Sequence, residues 1–288
     1  MKKSKFQWAL VLSGGGARGI THIGFLKGLE TAGFSRPSLV VGTSMGAIIG
    51  GLYACGMTTA EMTRFILEDF KIGDYLDSFV FKLEGQVGQV IQAGQLIASM
   101  ATKPGMDKGQ KVLGVLKELS GGKTFEETEI PFRCNAVDLL EGEELVFRSG
   151  SVAEAMRASM SVPIFFEPFR LNDRYLVDGG LADNMPVYIA REEGFTNILA
   201  VNVNRSAPVQ LNALKHSANI IYRSIECALF IKKNEVPEGK TELTLDIVDD
   251  ATPFSFYHKK EFMKLGEDAV KTNAAKLEAF FKPWLRGR

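Results

Sequence analysis

Three groups of residues in this 288-residue chain have the types and spacing to do chemistry. The first is Gly42-Thr43-Ser44-Met45-Gly46, a G-x-S-x-G pattern placed where the apolar run Leu39-Val40-Val41 ends and helical spacing begins. A sharp strand-to-helix turn of that kind lifts a serine hydroxyl clear of a sheet, and glycines two before and two after it avoid collisions inside the turn. Glycine and serine are common enough for the pattern to arise by chance, and the plain alternative is Ser44 as an N-cap on a glycine-rich helix start. The second group is Ser13 followed by Gly14-Gly15-Gly16-Ala17-Arg18-Gly19, at the preceding strand–helix junction. Three consecutive glycines leave backbone N–H groups unshielded at a helix start, which suits a developing negative charge; for acyl transfer that is an oxyanion hole. The same residues fit the G-x-G-x-x-G of a dinucleotide turn. That reading needs an acidic residue at the end of the next strand, where this chain has Gly42-Thr43-Ser44. Arg18 is open to two roles, pairing with a substrate anion or a structural or solvent-facing one.

A nucleophilic serine needs a base. The third group, Tyr175-Leu176-Val177-Asp178-Gly179-Gly180, ends an apolar strand in a carboxylate followed by two glycines, so that Asp178 can reach a neighbouring strand end unobstructed. An aspartate is a weak base at its ordinary pKa near 3.9, and burial raises it toward usefulness. The alternative is a turn aspartate bonding its own backbone. A histidine base would have to be His22, His216 or His258. The order Ser44, Asp178, His216 copies that of the α/β-hydrolases, but those proteins place several strands before the elbow and here one precedes it. His22 and His216 both fall inside helical patterns.

The elements that must position these residues are legible in the periodicity. Trp8 to Leu12 is an unbroken apolar run, the mark of a strand covered on both faces. From Ala17 the spacing turns helical and Gly33 closes it; Leu39 to Val41 is a second strand, and Met45 to Cys55 a second helix. This β-α-β-α order with short connections predicts a parallel sheet with helices on its faces. Thr58-Thr59-Ala60-Glu61 and Ser151-Val152-Ala153-Glu154 read as capping boxes. Hairpins are expected at Glu141-Gly142 and Asn172-Asp173, and a helix capped by Asp183 or Asn184 with Pro186 in its first turn. The segment 71–119 loses the alternation and is expected to be a mainly helical insertion, a lid or acyl-chain channel whose Phe79, Phe81, Val90, Ile91, Leu96 and Ile97 would line it, touch a lipid surface or pack as core. Beyond about 206, long helices are expected over Leu211 to Lys233 and Lys260 to Phe281, with a strand from Thr241 to Ile247 between them.

Composition excludes several classes. With 45% apolar and 24% charged residues the chain is an ordinary globular protein. Thirty-four basic residues balance thirty-four acidic ones, which leaves no electrostatic footprint for nucleic acid. Cys55, Cys134 and Cys227 form no pair with metal or disulfide spacing, so no metal is expected and a reducing, cytoplasmic setting is. The apolar start is too short and lacks a cleavage site for a secretion signal, and the uncharged run from Pro37 to Ala60 is too rich in glycine for a membrane span.

Taken in order on those elements, the Gly14–Gly19 loop, the Gly42–Gly46 elbow and Asp178-Gly179-Gly180 resemble the patatin-like phospholipase family. The segments Arg157-Ala158-Ser159-Met160-Ser161-Val162-Pro163 and Asp183-Asn184-Met185-Pro186 are similar to that family's as well. The resemblance covers about Leu10 to Val203 and is strongest to short bacterial members related to the neuropathy-target-esterase branch. It implies one α/β domain over residues 1–288, a three-layer sandwich with a mainly parallel central sheet. It also implies a Ser44–Asp178 dyad without histidine, metal or cofactor, and an oxyanion hole at the Gly14, Gly15 and Gly16 amides. The implied substrate is a lipid or other acyl ester, met in transient contact with a membrane surface. A scaffold protein that keeps the fold and acts by binding partners is the alternative from another class, and nucleotide binding at the glycine loop a third.

Overall fold

A computed structural model describes residues 6–75, 104–204, 208–214, 217–230, 242–248 and 256–285. Its strands are β1 Ala9–Leu12, β2 Leu39–Gly42, β3 Gly105–Asp107, β4 Phe132–Asp138, β5 Glu143–Phe147, β6 Ile164–Phe166, β7 Phe169–Leu171, β8 Arg174–Asp178, β9 Ile198–Asn202 and β10 Glu242–Asp246. The helices are α1 Thr21–Thr31, α2 Met45–Ala54, α3 Thr59–Arg64, the single turn α4 Ile72–Tyr75, α5 Gln110–Leu119, α6 Val152–Ser159, α7 Val187–Glu192, α8 Ser217–Phe230, α9 Lys259–Thr272 and α10 Ala274–Leu285.

The apolar runs become the sheet centre. Strands β10, β9, β1, β2 and β4 pair in that order, all parallel. Alternate residues of β1 and β2 point to opposite faces. Leu10, Leu12 and Val40 enter a large core shared with α1, α2, α6, α9 and α10, while Ala9, Val11, Leu39 and Val41 enter a smaller one under α7. Two cores on two faces make the expected three layers.

The antiparallel part of the sheet places the site. Cys134 pairs with Phe147 of β5 and with Gly42 of β2; Ala136 pairs with Leu145 of β5 and with Asp178 of β8. Since β5 occupies one edge of β4 from Cys134 to Asp138, β2 and β8 share the other. They meet end to end along it, β2 running parallel to β4 and β8 antiparallel.

Several expectations are refined. The helical turn after the glycine loop is a 3-10 helix over Gly16–Ile20 before α1 begins. The Thr58 capping box forms in full, whereas Ser151 accepts from the Glu154 N–H without the reciprocal bond being part of its cap. Pro186, rather than Asp183 or Asn184, is the residue before the first turn of α7; Asp183 Oδ1 instead accepts from the Met185 N–H at 2.9 Å. In the expected insertion, residues 76–103, including Phe79, Phe81, Val90, Ile91, Leu96 and Ile97, lie outside the described residues. Residues 105–107 form a strand paired with β6 rather than a helix.

The expected long helix from Leu211 is a 3-10 turn, Leu211–Leu214, followed by α8. The last helix breaks at Asn273 into α9 and α10. These C-terminal helices belong to the core. Gly24 of α1 and Gly266 of α9 let the two helices touch backbone to backbone, with Met263 O 1.9 Å from where a Gly24 Cβ would stand. Phe280 and Phe281 of α10 meet the Trp8 ring edge-on.

Candidate active site

Ser44 stands at the carboxyl end of β2 with φ 53° and ψ −120°, a left-handed conformation for a residue with a Cβ. Such strain costs about 1–3 kcal/mol and persists where the surroundings enforce it. The enforcement comes from the two motif glycines. A Cβ on Gly42 would lie 2.3 Å from Gly46 O, and one on Gly46 would lie 2.3 Å from Leu12 O. With both absent, strand end and helix start fold onto each other. Ser44 stands at the N-cap position of α2 but makes no side-chain capping bond to it. Its N–H donates to Ser159 Oγ at 2.9 Å, which fixes the backbone at the elbow.

Asp178 ends β8, the strand that meets β2. Its N–H donates to Ser161 O at 3.0 Å, and its Oδ1 accepts from the Gly180 N–H at 2.8 Å. Burial raises its pKa from 3.8 to about 7, against the opposing pull of the Ser44 hydroxyl and the Gly180 N–H. The Ser44 contact is loose, for buried Oδ2 has no partner at full hydrogen-bond geometry. Apo sites commonly show such long contacts that tighten with substrate. The side chain of Asp178 does bond its own backbone two residues on, as the turn reading expects, but with one oxygen only. Cys134, beside this site, is buried and its thiol pKa is driven far up by desolvation, so it is no competing nucleophile.

The glycine loop folds against the serine. A Cβ on Gly14 would stand 3.0 Å from Ser44 Cβ, and one on Gly19 only 2.2 Å from Met45 Cγ. Ala17 and Arg18 are buried in the 3-10 turn that follows the loop. The three amides differ. Gly14 N–H donates to Asn184 O at 3.1 Å, whereas the Gly15 and Gly16 amides have no acceptor among the described residues. His22, on α1, supports the loop from behind: its Nε2 lies 2.8 Å from Ser13 O, and a carbonyl only accepts, so Nε2 carries the hydrogen. Burial pushes the His22 pKa down to about 4, keeping the ring neutral. His258 precedes α9, half exposed, with Tyr257, Phe262 and Glu261 as its neighbours. His216 lies outside the described residues.

Two features escape sequence reasoning. The end of α6 and the residues just after it brace both candidate residues, Ser159 through the Ser44 N–H and Ser161 through the Asp178 N–H. Asn135, fully buried on β4, sits between the two strand ends and bonds to both. An asparagine among the apolar residues Cys134, Ala136 and Val137 is itself a signal, because a buried carboxamide must find partners.

The model of the patatin-like phospholipase family matches residues 10–191. An NTE family protein of Mycobacterium tuberculosis is 29% identical over 204 residues, covering 71% of this chain and 49% of that one. Lysophospholipase NTE1 of Cryptococcus neoformans is 32% identical over 202 residues, 68% of this chain and 11% of that protein. The chain thus spans about half the length of the first relative and about a tenth of the second. In fold it is similar to VipD from Legionella pneumophila, with a TM-score of 0.51 at 17% identity over 93% of this chain and 66% of that one. The family match takes in the glycine loop, the elbow and Asp178 together, and the chain belongs to the patatin-like phospholipase family, in the neighbourhood of its NTE branch.

Proposed function

We infer that the chain, one α/β domain, is a serine lipid acyl hydrolase working through a Ser44–Asp178 dyad. The observation that carries this reading is the strained Ser44 hydroxyl beside a buried carboxyl whose pKa is pushed to about 7, where an aspartate can both accept and return a proton. Ser44 Oγ attacks the acyl carbonyl carbon as its proton passes to Asp178. The carbonyl oxygen becomes an oxyanion at the Gly15 and Gly16 amides; the Gly14 amide would have to leave Asn184 O to join them. The bond to the alcohol breaks, and the alcohol leaves with the proton from Asp178. Water then attacks the acyl-serine, giving its proton to Asp178, which returns it to Ser44 Oγ as the fatty acid departs.

A lipid surface is the matching partner. Val209 and Leu211 follow β9 in the chain as exposed apolar residues, and Leu211 is 85% exposed. Ile220 and Ile221 of α8 are also exposed, and α8 packs on the turn that follows Asp178. Among the described residues no helix is long and apolar enough to cross a membrane.

A fluorophosphonate probe with peptide mapping tests the dyad. Labelling at Ser44, abolished in Ser44→Ala, retained in His216→Ala and lost in Asp178→Asn, is expected. Labelling that depends on His216 instead would restore a triad, and a folded wild-type protein that resists the probe would favour the scaffold reading.

A further inference from the structure

We propose that Asn135 is a positioning residue that sets the spacing and orientation of nucleophile and base; this rests on the Ser44–Asp178 reading. Along the shared edge of β4, Gly42 stands opposite Cys134 and Asp178 opposite Ala136, so Asn135 is the one residue of β4 in the gap where β2 and β8 meet. Its carboxamide fills that gap. Oδ1 accepts from the Thr43 hydroxyl at 2.7 Å; Nδ2 donates to Gly179 O at 3.1 Å, Asp183 O at 3.0 Å and Glu144 Oε1 at 2.7 Å. Three acceptors on one side admit only the amino group there, which leaves the oxygen for Thr43 and fixes the orientation of the amide.

Thr43 immediately precedes the nucleophile, and Gly179 immediately follows the base. One planar group therefore ties the neighbours of both dyad members, across the 133 residues of sequence between Ser44 and Asp178. Gly179 owes its lack of a side chain to the same contact, since a Cβ there would lie 2.3 Å from Asn135 O and 2.4 Å from its Oδ1. Asn135 bonds to residues flanking Ser44 and Asp178 rather than to the reacting atoms, so its effect is on their relative placement, on which transfer of the Ser44 proton depends.

The test uses Asn135→Asp, Thr43→Val, which keeps shape and loses the hydroxyl, and Thr43→Ser, which keeps the hydroxyl. Fold is checked by circular dichroism and melting; fluorophosphonate labelling at Ser44 and hydrolysis of p-nitrophenyl butyrate are followed against pH. Wild type and Ser44→Ala come first: a wild type unlabelled at Ser44 sinks the dyad reading itself, before any Asn135 comparison. Given labelling, folded Asn135→Asp and Thr43→Val are expected to lose at least about tenfold in labelling rate and kcat with KM little changed, and Thr43→Ser to recover most of the rate. In Asn135→Asp the pH midpoint of labelling moves upward, because a second carboxylate near Asp178 disfavours its ionisation. Wild-type rates and pH midpoint in folded Thr43→Val would overturn the proposal, also if Asn135→Asp fails to fold. So would a loss in Thr43→Val that Thr43→Ser shares in full.

Discussion

Replacing Asp178 by asparagine should destroy activity and, at alkaline pH, strengthen the fold. The folded protein holds the Asp178 proton more tightly than the unfolded chain does, its pKa standing at about 7 rather than 3.8 because of burial. The stability this contributes is complete below pH 3.8 and is lost as pH rises through about 7. At 1.36 kcal/mol per pKa unit the full loss is about 4 kcal/mol, and more than half of it falls between pH 5 and pH 8. The carboxamide of Asp178→Asn does not titrate, so the difference in unfolding free energy, variant minus wild type, should grow by roughly 2–3 kcal/mol over that interval. Every other titrating group cancels in the difference. Urea unfolding at pH 5, 6, 7 and 8 reads it as a relative midpoint shift of about 1 M, for a slope near 2.5 kcal/mol per M. Over the same range, labelling of wild-type Ser44 should rise with a midpoint of about 7, since ionised Asp178 accepts the proton. A stability difference that stays flat would mean that Asp178 is ionised throughout, and the case for it as a base tuned by burial would fall.

His22 should produce the opposite trend. Its folded pKa of about 4 lies below the ordinary 6.5, so the stability of its neutral form is present above pH 6.5 and lost as pH falls through about 4. Relative to His22→Gln, wild type should weaken by about 3 kcal/mol between pH 7 and pH 4, and no change in that difference would contradict a buried neutral imidazole. For the lipid surface, Leu211→Asp should lower co-sedimentation with phosphatidylcholine vesicles while leaving hydrolysis of soluble p-nitrophenyl butyrate intact. Vesicle binding equal to wild type would remove Leu211 from that surface.

Much of this arrangement was readable from residue types because the chemistry and the backbone make the same demands. The elbow needs glycines at 42 and 46 for steric reasons that also mark it in the sequence, and the strand Leu39–Val41 before it shows in its unbroken apolar run. The hairpins at Glu141-Gly142 and Asn172-Asp173 were legible because turns demand specific residues, Gly142 and Asn172 both having positive φ. What stayed hidden was pairwise. Nothing along the chain announces that β2 and β8 share an edge, that Asn135 spans their junction, or that Asn184 O takes the Gly14 amide. Nor does composition distinguish one long C-terminal helix from two joined at Asn273, since both bury the same apolar stripe.

The end-to-end meeting of β2 and β8 also ties the onset of activity to the order in which the chain is made. The first βαβα unit, through Ala54, is local and can form early, with its serine already turned out of the strand. Its proton acceptor is still 124 residues from synthesis at that moment, and arrives only when β8 docks beside an edge that β4 must first supply. A nascent or partly opened chain therefore displays a serine with no partner to activate it. Catalytic competence switches on with the docking of β8, so reactivity toward a fluorophosphonate is also a stopwatch for that one long-range step of folding.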